Sequence, residues 1–283
     1  MTSPTWDNAA KPAREKIVFA GWRRAFFRGL PLAVLVFGGL LAFLLTRTIE
    51  RVVSKPHTPW TSHITVFVCR NALRLLRLPV SVHGAQPIAF GGVVANHSSW
   101  LDIFVLNSIQ PLHFVSKAEV SKWPGIGWLA RATNTVFIQR DPRQAQVQKD
   151  VLQERLKRGH KLLFFPEGTS SDGQQVLPFK SSLFAAFIGD GSGDRNSIQA
   201  ISVVYHAPEH ADPRFYGWWG DMGFAEHLLD TLAAQKQGRV DVMLHAALDV
   251  ADIPDRKALA SCLEAQVRQG HSALLQTNKN GLQ

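Results

Sequence analysis

Cysteine is almost missing from this chain of 283 residues. The two that occur, Cys69 and Cys262, have neither a C-x-x-C partner nor a nearby histidine. That usage speaks against a disulfide framework and a structural zinc site, and suits a reducing compartment. A G-x-S-x-G elbow is also lacking, since Gly168-Thr169-Ser170-Ser171-Asp172 has no closing glycine. A lipid-directed serine hydrolase is disfavoured on that ground. Residues 189–196 hold aspartates without EF-hand spacing or a terminal glutamate, which reads as a surface loop rather than a calcium site. Arginines nowhere interleave with aromatics in a nucleic-acid reading motif, and no internal repeat occurs. Charge is absent from one long stretch, residues 29–46 (GLPLAVLVFGGLLAFLLT).

What is present fits a globular protein with a membrane connection. Apolar residues make up 46% of the chain, an ordinary value for one large domain or two small ones. Lysine and arginine outnumber acids 31 to 22, for a net charge of +9. Such a balance favours anionic partners: lipid headgroups, nucleic acid or an acidic carrier protein.

The uncharged run is near the lower limit of about 18 apolar residues for a spanning helix. A secretory signal would be shorter and nearer the start, and Arg47, Glu50 and Arg51 follow in place of a cleavage pattern. Residues 60–78 read as a second helix, with Arg70, Arg74 and Arg77 on one side and leucines on the other. An interfacial amphipathic helix has that pattern. Pro79 ends it. The expected organisation is a basic tail over 1–28, membrane-anchoring helices over 29–79 and an α/β domain over 80–283.

Within that domain, short apolar runs mark strands at 80–82, 92–95, 113–116, 136–138, 161–165, 201–205 and 240–245. Helical patterns fall at 101–109, 143–158, 181–188, 225–234 and 257–275. The alternation predicts an α/β fold, a mixed, mostly parallel sheet flanked by helices. Ligands of such sheets sit beyond the carboxyl ends of the strands.

Three strand ends carry candidate chemistry. The first is Asn96-His97-Ser98-Ser99-Trp100-Leu101-Asp102, between an expected strand and a helix that Ser98 or Ser99 would cap. Five residues is one too many for His97 and Asp102 to share a helical face, but an unwound entry turn lets the carboxylate swing beneath the imidazole. A carboxylate on one ring nitrogen makes the other a better base. The second is 136–140, an apolar strand delivering Arg140, suited to phosphate or carboxylate. The third is 162–171, a strand entering a tight Pro166-Glu167-Gly168-Thr169 turn whose amides and hydroxyls face an anion or developing oxyanion. Lys180 follows shortly after.

Together, NHSSWLD, VFIQR and FPEGTSS closely resemble the motifs of the glycerolipid acyltransferases, the family that contains 1-acylglycerol-3-phosphate acyltransferases. The resemblance runs from about 91 to 205 and includes Lys117-Ala118-Glu119, Pro124, Gly127 and Leu177-Pro178-Phe179-Lys180. It implies that His97 is the general base on an acceptor hydroxyl and that Asp102 orients it. Arg140, Glu167, Gly168, Thr169 and Lys180 would bind substrate. The donor would be an acyl-CoA or acyl-carrier protein thioester, with no metal and no other cofactor. The acceptor would be a lysolipid, 1-acylglycerol-3-phosphate or a lyso-ornithine lipid, and the enzyme would work in membrane lipid biosynthesis on the cytoplasmic face of a bacterial inner membrane.

Two departures bear on the acceptor. The third motif usually continues Gly-Thr-Arg, with the arginine linked to phosphate binding; here Ser170 stands there. Losing that guanidinium removes a contact of about 1.5–3 kcal/mol to a phosphomonoester, which Lys180 or Arg140 could replace. The fourth motif commonly has a proline where Ser202 lies in Ile201-Ser202-Val203-Val204-Tyr205. The variant resembles the bacterial branch that includes lyso-ornithine lipid acyltransferases. Alternative readings are a lipid-directed hydrolase and a non-catalytic basic membrane-binding protein.

Overall fold

The computed structural model describes residues 6–53, 60–123, 125–139, 141–188 and 197–280. Two helices come first, α1 (Phe19–Val53) and α2 (Trp60–Leu76), then strands β1 (Val80–Gly84) and β2 (Gly91–Ala95). Next are α3 (Asp102–Ile109), β3 (His113–Lys117), α4 (Ile126–Ala132) and β4 (Val136–Ile138). The second half begins with α5 (Ala145–Lys157), β5 (Lys161–Phe164) and β6 (Ser197–His206). It closes with α6 (Phe224–Ala233), β7 (Arg239–Leu244), β8 (Leu248–Asp249) and α7 (Arg256–Asn280).

The strands form one sheet in the order β1-β7-β6-β2-β5-β3-β4, with β8 beside β6. Pairings of β6 with β7 and β8 are antiparallel. Those of β1 with β7, β2 with β5 and β6, and β3 with β4 and β5 are parallel. The sheet is thus mixed and mostly parallel, as the spacing of apolar runs predicts. β2 lies between β6 and β5 and runs parallel to both, so three carboxyl ends open at one edge.

Alternate side chains enter two cores, one on each face. Val93, Ala95, Leu163, Ile201 and Val203 face a core covered by α1, α2, α3 and α6. Val94, Leu162, Phe164, Ile198 and Ala200 face the other, under α5 and α7. Burial on both faces is why the central strands read as continuous apolar runs. Residues 181–188, expected as a helix, hold only the short 3-10 helix Leu183–Ala186. Phe184 and Phe187 recur at its three-residue spacing and both pack on Phe164.

Helix α1 begins at Phe19, inside the stretch expected to be a basic tail. Arg24 Nε donates to Ala233 O at 2.7 Å, and Arg28 Nη1 donates to Leu232 O and Ala234 O at 2.9 and 2.6 Å. These carbonyls end α6, where helical partners run out and a cation is favoured. Facing protein in this way, the arginines let the helix run through a basic stretch. Residues 19–50 are long and apolar enough to cross a bilayer, with a mean hydropathy of 2.3 in a window only 11% buried. Phe26, Phe27, Leu30, Val34, Phe37 and Leu41 are exposed along it.

Helix α2 returns antiparallel to α1. Glu50 accepts from Thr61 N and Oγ1 at 3.1 and 3.2 Å, and Gly39 lies against Val68. The leucine side of α2, expected at a membrane interface, is instead buried in protein: Ala72, Leu73 and Leu76 join the core beneath β2 and β6. Arg70 Nε donates to Ser108 O at 2.7 Å, fastening α2 to the end of α3.

Candidate active site

Beyond β2 the chain is pinned before it turns. Asn96 Nδ2 donates to Val203 O at 2.9 Å, and its Oδ1 accepts from Val203 N at 2.8 Å, extending the β2–β6 ladder through a side chain. His97 follows at the open edge. Residues 97–101 then form a non-helical turn, and α3 starts at Asp102 itself.

The expected serine cap is not what opens α3. Ser99 Oγ accepts from Leu101 N at 3.3 Å, and no side chain caps the helix. The Asp102 carboxylate reaches back instead. Its Oδ2 accepts from Ser98 N at 3.0 Å, Ser99 N at 3.1 Å and His97 Nδ1 at 2.7 Å. Its Oδ1 accepts from Tyr205 Oη at 2.6 Å. Asp102 is 0% exposed, and four donors satisfy a buried carboxylate that would otherwise be costly.

His97 is fixed from three further directions. Its ring stacks on Phe165 at 4.0 Å with planes 13° apart. Its N–H donates to Glu167 Oε1 at 2.7 Å, and its carbonyl accepts from Ser171 N at 2.9 Å. With Nδ1–H given to Asp102, Nε2 is the acceptor nitrogen, and His97 lines a large cavity. A neutral imidazole so held can take a proton from a hydroxyl brought to Nε2.

Glu167 requires a correction to the expectation that it binds substrate. It is 2% exposed and absent from the cavity wall; Oε1 holds His97 N, and Oε2 accepts from Leu177 N at 3.0 Å. Burial pushes its carboxyl up to about 8, against the two amides, which favour the ionised form. Its place is beneath the histidine. Pro166, Gly168, Thr169, Ser170 and Lys180 do line the cavity. Gly168 has φ of 71°, a left-handed backbone that lets the turn double back after β5. Arg140 lies outside the described residues, as does Pro124.

The cavity holds about 1810 Å³, beyond the usual range for a compact small molecule. Its polar end is at the strand edge, with Thr169, Ser170 and Asp221. From His97 it continues along α1 and α2 past Leu32, Val36, Leu40, Phe43 and Val68. A ligand with a polar head and a long apolar chain fits this arrangement.

Comparison with known proteins agrees with the geometry. A family model described as Acyltransferase matches residues 80–203. The lyso-ornithine lipid O-acyltransferase of Rhodobacter capsulatus is 52% identical over 270 residues, covering 95% of this chain and 98% of that one. The chain belongs to the acyltransferase family.

The 1-acyl-sn-glycerol-3-phosphate acyltransferase of Neisseria gonorrhoeae is 32% identical to this acyltransferase, covering 70% of this chain and 77% of that protein. A crystal structure of the 1-acyl-sn-glycerophosphate acyltransferase from Thermotoga maritima shares the fold. Its TM-score is 0.63 at 23% identity, over 90% of this chain and 95% of that one.

Local spacing could not reveal every residue of this candidate site. Tyr205, on β6, and Phe165, just past β5, touch Asp102 and His97 from positions distant in sequence. A tyrosine ending a buried strand at the ligand-binding edge was the available signal for the first. Ser202, the departure in the fourth motif, points away from the cavity. Its Oγ donates to Val267 O and bonds His245 Nε2, both at 2.9 Å, stitching β6 to α7 on the other face.

Proposed function

We propose that this acyltransferase moves a fatty acyl group from a thioester, acyl-CoA or acyl-carrier protein, to the hydroxyl of a lysolipid. The observation that carries the reading is the His97–Asp102 pair, 2.7 Å apart, opening on a cavity that runs from polar turn to apolar helices. His97 Nε2 takes the acceptor's hydroxyl proton as its oxygen attacks the thioester carbon. Asp102 holds the imidazole in place and stabilises the imidazolium. Donors of the 168–170 turn face the tetrahedral oxyanion. Collapse expels the thiolate, which recovers the proton from His97. The acyl group passes directly, without an acyl-enzyme, and the scheme calls on no metal.

For the acceptor we propose a lyso-ornithine lipid. Ser170 lies on the cavity wall where the family commonly places an arginine for phosphate, so a phosphomonoester loses its charge-assisted contact. The cavity wall mixes Lys117, Lys149, Lys180 and Arg256 with Glu119, Asp141 and Asp221, and charges of both signs suit a zwitterionic head group. Identity of 52% to a lyso-ornithine lipid O-acyltransferase, against 32% to a 1-acyl-sn-glycerol-3-phosphate acyltransferase, points the same way. The exposed apolar length of α1 would sit in the bilayer from which the lysolipid is drawn, at the cytoplasmic face of the inner membrane.

The test is transfer of labelled acyl groups by protein purified in detergent to lysolipids with and without a phosphomonoester. Lyso-ornithine lipid is the expected acceptor, with His97→Ala inactive. If no lysolipid is acylated faster by wild type than by His97→Ala, the reading fails.

A further inference from the structure

Residues 6–18, ahead of α1, are not helical and lie against the open edge of the domain. Trp6 N–H donates to Thr169 Oγ1 at 3.4 Å, and its indole meets that of Trp219 with centroids 6.1 Å apart. Asp7 covers Gly220 so closely that a Cβ there would come within 2.5 Å of its carboxylate oxygen. Lys11 pairs with Asp7 at 3.6 Å and also contacts Asp221. Farther along, Ala10 O accepts from Arg214 Nη1 at 2.6 Å, and Arg14 Nε donates to Asp230 Oδ2 at 2.7 Å. Thr169, Trp219, Gly220 and Asp221 all line the cavity that contains His97. The segment is not itself on the cavity wall but backs four residues that are, at the cavity's polar end.

Two features indicate what this end of the cavity admits. Trp219 is 1% exposed, yet its indole N–H has no hydrogen-bond partner among the described residues. A buried donor left unpaired costs about 1–3 kcal/mol, which an acceptor oxygen of a ligand would relieve. Second, two carboxylates, Asp7 and Asp221, share one ammonium, that of Lys11. These three groups together carry one net negative charge, a local field that opposes a phosphate dianion and accommodates an ammonium.

We propose that residues 6–14 form a specificity strap. In it, Trp6 and Asp7 brace the cavity's polar end from behind Thr169, Trp219 and Gly220, favour an acceptor whose head carries an ammonium and an acceptor oxygen, and disfavour a phosphomonoester. The strap deepens the lyso-ornithine reading and rests on it. Its ion pairs are solvent-exposed, individually weak and screened by salt, so it can lift to load a lipid.

Full-length protein in mixed micelles, assayed with lyso-ornithine lipid and with 1-acylglycerol-3-phosphate, tests this. Trp6→Ala and the conservative, exposed Asp7→Asn should each raise KM for lyso-ornithine lipid about fivefold, the loss of one modest contact. The ratio of kcat/KM between the two acceptors should narrow to a similar degree, while kcat and the donor's KM stay near wild type. If wild type prefers lyso-ornithine lipid and neither variant moves acceptor KM or the ratio, the strap inference alone is overturned. A uniform fall in kcat with both acceptors, or a changed donor KM, overturns it too, because the segment is then only scaffold. A wild type that prefers the phosphomonoester overturns the lyso-ornithine reading and the strap together.

Discussion

Tyr205 Oη stands 2.6 Å from Asp102 Oδ1, so a phenol at the end of β6 completes the carboxylate that holds His97. Burial and the facing Asp102 push this phenol well above its ordinary pKa, which keeps it a donor at every working pH. The pair ties the fourth motif of the chain to the first.

Removing that donor should cost activity without loss of substrate binding. Tyr205→Phe leaves Oδ1 unpaired in a site where Asp102 is 0% exposed, a penalty of about 1–3 kcal/mol. We expect kcat to fall about tenfold with both KM values little changed, and Asp102→Asn to fall at least about a hundredfold. Steady-state kinetics check both; a Tyr205→Phe enzyme with wild-type kcat would reduce the phenol to packing.

Phe165 should matter through the orientation of the imidazole. It stacks on His97 at 4.0 Å, and truncation to alanine frees one ring face while Nδ1 stays on Asp102. A looser base lowers the fraction of productive encounters, so we expect Phe165→Ala to lower kcat about tenfold. Phe165→Tyr should recover most of it, and failure to do so would point to lost core packing instead.

Glu167 gives a pH signature. Its carboxyl is raised from 4.5 to about 8 in the folded protein, so below 4.5 folded and unfolded chains are both protonated there. Between 4.5 and about 8 only the folded state keeps the proton, so stability drains away as pH rises, by at most about 1.4 kcal/mol per unit. Above that window the loss levels off. Thermal unfolding of wild type against Glu167→Gln should show this difference in slope, and parallel profiles would mean the group is ionised in the fold.

Gly39 governs how closely α1 and α2 approach. A Cβ there would come within 2.4 Å of Val68 Cγ2, and valine has little rotamer freedom to yield on a helix. Gly39→Ala should destabilise the protein by about 1–3 kcal/mol, seen as a lower Tm in detergent. An unchanged Tm would show that the helix pair can part there without cost.

The middle of the sheet was legible because its central strands are buried on both faces and bounded by turns, so apolar runs alone located β2, β5 and β7. His97 and Asp102 were legible as a pair despite their off-register spacing, because the serines between them leave room for a turn. The function of Glu167 was not: a glutamate between proline and glycine looks solvated until the His97 and Leu177 amides are seen to converge on it. The start of α1 was hidden too, since Arg24 and Arg28 look like a solvated tail until α6 supplies carbonyls for them. The strap left no local pattern, because Trp6 and Trp219 meet only in the folded chain.

The arginines of α1 that finish α6 have a consequence for dissection. A fragment cut at residue 80 would lose both the guanidiniums on the Leu232–Ala234 carbonyls and the α2 leucines under the sheet. Hydrophobic anchor and catalyst are therefore not separable modules. Trimming the greasy end to obtain a soluble enzyme, or grafting it onto another domain, would open the catalytic half along its own core.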